Sequence, residues 1–144
     1  MPNLYDMTTQ KTPQENEAVA LARVLFSETK DISDARNIAN VIVNRTKNPD
    51  RFGGTITDVI YQPNQFSGVY SNEWNKALNQ KFASEKETNT YKEMLQVAYQ
   101  AVTGKLEDTT GGADHYFNPK LVKPKWAAKM TKTTENKNHS YYKA

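Results

Sequence analysis

The chain has 144 residues, a formal net charge of +3 and 37% hydrophobic residues. These values predict one globular domain with a core of its own. Without cysteine, the chain can form neither disulfides nor thiolate metal sites. No apolar run is long enough to predict a membrane-spanning helix, so we expect no membrane insertion. The modest positive charge suits an anionic partner, but it is equally typical of a well-solvated surface.

The first predicted helix covers residues 13–29, after a lead-in over residues 1–12. Thr12 and Glu15 have the spacing of a capping box, and Pro13 stands at the first helical position. Apolar residues then recur at helical spacing and define one buried face: Ala18, Leu21, Ala22 and Leu25. Glu28 follows Leu25 by three residues, so it continues that face.

An acid at this position has unusual chemistry. A carboxylate on the apolar face loses water and meets the negative end of the helix dipole, and both effects favour its protonated form. A protonated carboxyl near neutral pH is what a general acid needs. Position alone leaves open another interpretation, in which Glu28 is a partly exposed helix-end acid paired with Lys30 or Arg45.

The remaining elements follow in order, beginning with a helix over residues 34–47 that Ser33 would cap. We predict a short helix capped by Thr55, a loop or small hairpin over 61–72, a short helix over 73–78 and a loop over 79–87. A long helix over 88–103 would stop at Gly104. Next come a strand over 114–119, a helical turn over 126–130 and a hairpin over 131–143. The predicted fold class is therefore α+β, mainly α, with one domain over residues 13–144.

Several short motifs occur in a fixed order between residues 18 and 142. They read ALARVLFSE at 20–28, VIVNR at 41–45, VIYQPNQFS at 59–67 and DTTGGADHYFNP at 108–119, followed by Trp126 and NHSYY at 138–142. In number and order, these motifs resemble those of the SleB-type cell wall hydrolases. This family comprises spore-cortex-lytic enzymes and related phage and bacterial wall hydrolases.

The resemblance implies a lysozyme-like helical domain of the goose-type or lytic transglycosylase kind. It implies cleavage of the β-1,4 bond between N-acetylmuramic acid and N-acetylglucosamine in peptidoglycan glycan strands. Glu28 would be the catalytic residue, acting as acid and then as base to give a 1,6-anhydro product without cofactor or metal. The family usually has Glu-Ala-Arg-Gly-Glu where this chain has Glu28-Thr-Lys-Asp31-Ile, so the second glutamate is lost.

A hydrolytic muramidase is the alternative reaction, and it would need a second carboxylate. Asp31 is the nearest candidate, with Asp34 and Asp114 behind it. Sequence leaves the two reactions open, because they differ in whether a water molecule is positioned.

Two segments supply candidates for sugar contacts. Gln65 and Ser67 lie in a loop of aromatic and amide side chains, a combination that binds sugars, and they could contact an acetamido group. Phe66 is expected to fill the core instead. The second segment offers unhindered backbone near a ligand, or else forms a plain turn into the strand; its candidates are Thr110, Gly112 and Ala113.

The late aromatic residues complete the set of candidates. Neighbours on a strand face opposite sides, so only one of His115 and Tyr116 can face the cleft, and the family pattern favours Tyr116. Trp126 is either a stacking platform or a core anchor, and His139 is a further candidate for binding. Two histidines without a supporting ligand cluster do not predict a metal site.

Two other classes of protein are alternatives to an enzyme. A wall-binding module would keep the aromatic loop but would not need Glu28. A nucleic-acid-binding protein would need basic residues clustered on a helix face, which the first two helices lack, so we expect no nucleic-acid partner. The N-terminus lacks the pattern of a secretory signal, and we expect either a phage-encoded enzyme or a trimmed secreted domain that acts on the bacterial wall.

Overall fold

The computed structural model describes residues 2–144 and confirms a mainly helical α+β fold. Six α-helices come first: α1 Pro13–Glu28, α2 Ile32–Thr46, α3 Pro49–Phe52, α4 Ile56–Ile60, α5 Asn72–Asn79 and α6 Glu85–Val102. Three strands then follow around a 3-10 helix at Lys125–Lys129: β1 His115–Phe117, β2 Thr131–Glu135 and β3 Ser140–Lys143. The small β element lies late in the chain, as predicted.

Helix α1 is the centre of the core. Its N-terminus has the predicted capping box, with Thr12 Oγ1 accepting from the Glu15 backbone and the Glu15 side chain accepting from Thr12. The predicted apolar face is fully buried, and α1 packs most extensively against α6. Because α1 ends at Glu28, this packing holds the last turn of the helix, and the glutamate on it, in a fixed position.

Helices α2 and α6 begin at Ile32 and Glu85, before the predicted residues 34 and 88, and their N-caps explain why. Asp31, not Ser33, caps α2, because its Oδ1 accepts from the backbone N–H groups of Ser33 and Asp34 at 2.9 and 3.4 Å. Ser84 Oγ accepts from the Glu87 backbone at 3.2 Å, so α6 begins at Glu85. The acidic residues there form a first helical turn, where the helix dipole favours negative charge.

The connection between α2 and α6 holds a helix that was not predicted. Pro49 starts the short helix α3 soon after α2 ends, since proline is well suited to the first helical position. Thr55 caps α4 as predicted, with Asp58 N–H donating to its Oγ1 at 3.0 Å. The segment between α4 and α5 is a loop without strands, and Ser71 caps α5.

The three strands form one antiparallel sheet in the order β1-β3-β2. The predicted hairpin is β2–β3, and β1 adds to the other edge of β3 with Tyr116 opposite Tyr141. The sheet packs on α2 through Tyr141, which is fully buried with Val41 and Ala113. This docking brings the sheet to the end of α1.

The segment before α1 is part of the domain rather than a loose lead-in. Leu4 is buried in the core, and Gln80 Nε2 donates to the Tyr5 carbonyl at 2.7 Å. Met1, the first residue of the predicted lead-in, lies outside the described residues. No helix within residues 2–144 combines the length and the apolar character that crossing a membrane requires.

Candidate active site

Glu28 lies half-buried at the point where α1, the loop after α4 and strand β1 meet. Its Oε1 accepts a hydrogen bond from the Tyr116 hydroxyl at 2.7 Å. Burial raises the pKa of Glu28 above its ordinary value, although the Tyr116 hydroxyl opposes this rise. The raised pKa agrees with the expectation drawn from its position in the helix.

The alternative pairing of Glu28 with a nearby cation is not what the structure shows. Lys30 forms an ion pair with Glu73 at 3.0 Å. Arg45 donates to the Asp114 carbonyl at 2.8 Å and to Gln65 Oε1 at 3.2 Å. Both cations are engaged elsewhere, so neither neutralises the Glu28 carboxylate.

Gly68 forms the wall of the site next to Glu28, and sequence reasoning missed it. A Cβ atom at this position would lie 2.2 Å from Ser27 Oγ and 2.8 Å from Glu28 Oε2. The backbone N–H of Gly68 also lowers the pKa of Glu28, against the larger effect of burial. The loop can therefore approach the carboxylate this closely only because residue 68 has no side chain.

Tyr116, rather than His115, faces Glu28, in agreement with the family pattern. Burial and the neighbouring Glu28 raise the pKa of Tyr116 well above its ordinary value, so its hydroxyl stays protonated and donates. The Tyr116 ring stacks on Tyr141 with centroids 5.9 Å apart and meets the edge of His139 at 5.0 Å. These two rings fix the direction of the hydroxyl.

A buried carboxylate, Asp34, holds those two rings in place. It is fully buried and accepts from Asn136 Nδ2 at 2.8 Å, from the His139 ring Nδ1 at 2.9 Å and from the Tyr141 hydroxyl. Burial alone would raise the pKa of Asp34, but these hydrogen bonds lower it, so Asp34 is ionised. His139 thus supports Tyr116, whereas the sequence suggested only a sugar contact.

The acids proposed as partners for Glu28 have structural roles. Asp31 caps α2, and the hydrogen bonds from Ser33 lower its pKa. Asp114 Oδ1 lies 2.9 Å from His115 Nδ1 and accepts from the Ala144 backbone at 3.0 Å. In the structure the Asp31 carboxylate is thus the N-cap of α2, the role that the sequence had suggested for Ser33.

The loop after α4 brings two exposed polar residues to the site and is anchored in the core by a third residue. Gln65 and Ser67 are exposed beside Gly68, where a ligand could reach them, and Arg45 orients the Gln65 amide. Phe66 is 6% exposed and fills the core, as expected.

The predicted backbone contacts at residues 110–113 are used within the loop itself. Asp108 accepts from the backbone N–H groups of Thr110 and Gly112 at 2.8 and 3.0 Å, and the Ala113 N–H donates to Thr110 Oγ1 at 3.1 Å. Thr110 and Ala113 are fully buried. The segment is therefore a turn that leads into β1, and it leaves these backbone groups unavailable to a ligand.

Trp126 packs on the side of the sheet that faces away from Glu28. Its ring contacts His115 at 4.9 Å, Phe117 at 5.5 Å and Tyr142 at 5.7 Å. Trp126 is thus part of an aromatic cluster on the outer face of the sheet, half-buried and outside the buried core. Within residues 2–144, no three side chains of His, Cys, Asp or Glu lie close enough together to hold a metal ion.

Comparisons with known proteins agree with this architecture. A family model described as Cell Wall Hydrolase matches residues 29–142. A search of curated proteins gave no significant match.

Two solved structures share the fold. The catalytic domain of the germination-specific lytic transglycosylase SleB from Bacillus anthracis has a TM-score of 0.64 and 22% identity, over 99% of this chain and 100% of that one. The catalytic domain of Bacillus cereus SleB has a TM-score of 0.67 and 21% identity, over 96% and 98% of the two chains. Because the family model matches most of the sequence, the chain belongs to the cell wall hydrolase family and is an enzyme of that class.

Proposed function

We propose that this enzyme is a lytic transglycosylase that cleaves the β-1,4 bond between N-acetylmuramic acid and N-acetylglucosamine in peptidoglycan. The observation that carries the proposal is the half-buried Glu28 carboxyl, whose pKa burial raises and whose Oε1 is held by Tyr116. Such a group is protonated closer to neutral pH than an exposed glutamate, so it can act as a general acid there.

One carboxyl group suffices for this reaction. Glu28 gives its proton to the glycosidic oxygen as the bond from that oxygen to C1 of the muramyl sugar breaks. The resulting carboxylate then takes the proton of the C6 hydroxyl, and O6 forms the new bond to C1. The acid is regenerated, the product is a 1,6-anhydro sugar, and no water is consumed.

The surroundings of Glu28 favour this route over hydrolysis. Glycosidases that hydrolyse their substrates ordinarily place a second carboxylate opposite the acid, where it activates water or acts as the nucleophile. The negative charge of Asp34 contributes to the raised pKa of Glu28. Asp34 is, however, fully buried and accepts hydrogen bonds from three side chains. Neither Asp34 nor the helix-capping Asp31 is therefore suited to activate water.

The comparisons support the proposed reaction but do not bear on Glu28 itself. The structure from B. anthracis is described as a lytic transglycosylase. The family match begins at residue 29, immediately after Glu28, so the role of Glu28 rests on its own geometry and on the motif at its helix end.

Digestion of purified peptidoglycan in water labelled with heavy oxygen tests the reaction type. We expect mass spectrometry to show anhydro-muropeptides that carry no label. Products with a reducing end that have incorporated the heavy oxygen would show hydrolysis and overturn the transglycosylase mechanism. Binding to peptidoglycan without release of fragments would instead identify a wall-binding module.

A Tyr116→Phe variant is expected to shift the pH dependence of the activity. The Tyr116 hydroxyl lowers the pKa of Glu28, so its loss raises that pKa further. Since the general acid is active while protonated, the alkaline limb of the pH–rate profile should move to higher pH. The rate at the optimum should fall by about two- to tenfold, the typical value of one hydrogen bond.

Rates of peptidoglycan solubilisation measured across the pH range check this prediction. Tyr142→Phe is the matched control, because Tyr142 lies on β3 and packs against Phe117 and Trp126, away from Glu28. An alkaline limb that stays in place in Tyr116→Phe would show that the hydroxyl does not control Glu28.

A further inference from the structure

Two exposed tyrosines, Tyr61 and Tyr70, form an aromatic surface that the function described above does not use. We call this pair the tyrosine platform. Tyr61 is 39% exposed and Tyr70 71% exposed, and their rings stack with centroids 6.5 Å apart at an angle of 30°. The buried Trp74 supports Tyr70 from the side at 5.1 Å. Trp74 therefore contacts the platform on one side, and the other side is open to solvent.

The backbone at Tyr70 is unusual for a bulky residue. Its φ angle is +66°, in the left-handed region that non-glycine residues avoid. The Ser71 N–H donates to the Gly68 carbonyl at 3.0 Å, and the turn that this bond closes holds Tyr70 in this conformation while most of its side chain stays in solvent. Strained residues cluster at binding and catalytic sites, where the strain fixes the direction of a functional group.

A cavity of about 350 Å³ adjoins the platform. Besides both tyrosines, it is lined by three polar side chains, Gln62, Asn64 and Ser67. The volume is in the usual range for a small-ligand site. Aromatic faces pack against the apolar side of a pyranose ring, while amides and hydroxyls form hydrogen bonds with its substituents.

The position of the cavity connects it to the catalytic carboxyl. Ser67 lines the cavity, and the next residue, Gly68, is the wall in contact with Glu28. Tyr70 is only two residues beyond Gly68, a span of at most about 7 Å along the chain. One loop therefore carries both the wall next to Glu28 and the platform, close enough for one glycan strand to be the ligand of both.

We propose that Tyr61 and Tyr70 form a saccharide subsite that binds a sugar ring of the glycan strand next to the scissile bond. The occupant is a pyranose with an N-acetyl group, stacked on the tyrosine rings and held by the exposed Asn64 amide and Ser67 hydroxyl. This inference rests on the proposed function, because it takes the glycan strand as the ligand of the Glu28 site.

The test is a calorimetric titration of the Glu28→Gln chain, which cannot cleave, with the tetramer of N-acetylglucosamine. Tyr70→Asn removes the ring but keeps a residue that tolerates the left-handed backbone. We expect it to weaken binding by about tenfold, as the loss of one aromatic contact does, and we expect Tyr70→Phe to bind like the parent. Leu121→Asn, which removes an apolar side chain that is 77% exposed elsewhere, is the matched control and should change nothing.

The outcomes separate this inference from the proposed function. Equal affinity of Tyr70→Asn and its parent, or no binding by the parent, would overturn the subsite while leaving the cleavage assay unaffected. If the active chain releases no fragments from peptidoglycan, the proposed function fails, whatever the titration gives. Loss of affinity in Tyr70→Asn together with a lower melting temperature in that variant alone would point to damage of the loop and would also count against the subsite.

Discussion

A Glu28→Gln variant is expected to fold like the parent and to lose activity by about a thousandfold, within the range attributed to general acid–base catalysis. Glutamine has the shape of glutamic acid, and its amide oxygen can still accept the hydrogen bond from the Tyr116 hydroxyl. It cannot give a proton to the glycosidic oxygen, so only the chemical step is lost. The release of muropeptides from purified peptidoglycan measures the effect.

Thermal unfolding of the same variant shows whether the loss is chemical or structural. Burial raises the pKa of Glu28 in the folded chain, so its contribution to stability is present at low pH and is lost as the pH rises through that pKa. The variant lacks this ionisation and should keep its melting temperature at pH values where the parent begins to lose stability. Glu93→Gln, a change at an exposed acid of α6, is the control. Activity near that of the parent in Glu28→Gln would refute the catalytic role.

A Gly68→Ala variant is expected to lose activity by about a hundredfold, the cost of displacing a catalytic group by roughly 1 Å. The added Cβ would lie 2.2 Å from Ser27 Oγ and 2.8 Å from Glu28 Oε2, and such contacts force the loop or the carboxyl to move. The close contacts fall on Glu28 and its neighbour Ser27, so the effect on activity should exceed the effect on stability. Activity and melting temperature are measured side by side.

Gly54→Ala is the matched control for this change. Its Cβ would meet only Pro49 Cβ, at an ordinary 3.5 Å, so activity and stability should stay unchanged. Full activity in Gly68→Ala would mean that the loop does not need to contact Glu28 during catalysis.

Helical periodicity predicted the part of the site that depends on a single helix. Glu28 stands out in the sequence because an acid occupies an apolar position. The same argument would have found Asp34, which precedes Ile38 by four residues and lies on the buried face of α2. In the sequence, Asp34 stands out only as a possible second acid. Because an acid on a buried face needs hydrogen-bond partners, its position also predicts partners such as His139 and Tyr141.

The start of α2 shows a limit of local patterns. Asp31 and Ser33 are both good N-cap residues and lie two positions apart, so composition alone does not choose between them. In the structure, the Asp31 carboxylate reaches two backbone N–H groups as well as the Ser33 hydroxyl. One oxygen satisfies several donors, and this settles the cap in favour of Asp31.

The rest of the site depends on contacts between distant parts of the chain. Tyr116 and Glu28 are 88 residues apart, and nothing local to either one indicates the other. The need for glycine at residue 68 also arises only from the approach of the loop to α1. The family pattern indicated Tyr116, but its hydrogen bond to Glu28 could be found only in three dimensions.

The docking of the sheet on α2 has a consequence for how the enzyme acquires its activity. Tyr116 reaches Glu28 from β1, β1 pairs with β3, and the Tyr141 hydroxyl on β3 donates to Asp34 of α2. The arrangement around Glu28 therefore requires the docked sheet as well as the helices, and a change that loosens the sheet should impair catalysis even where the helices stay intact.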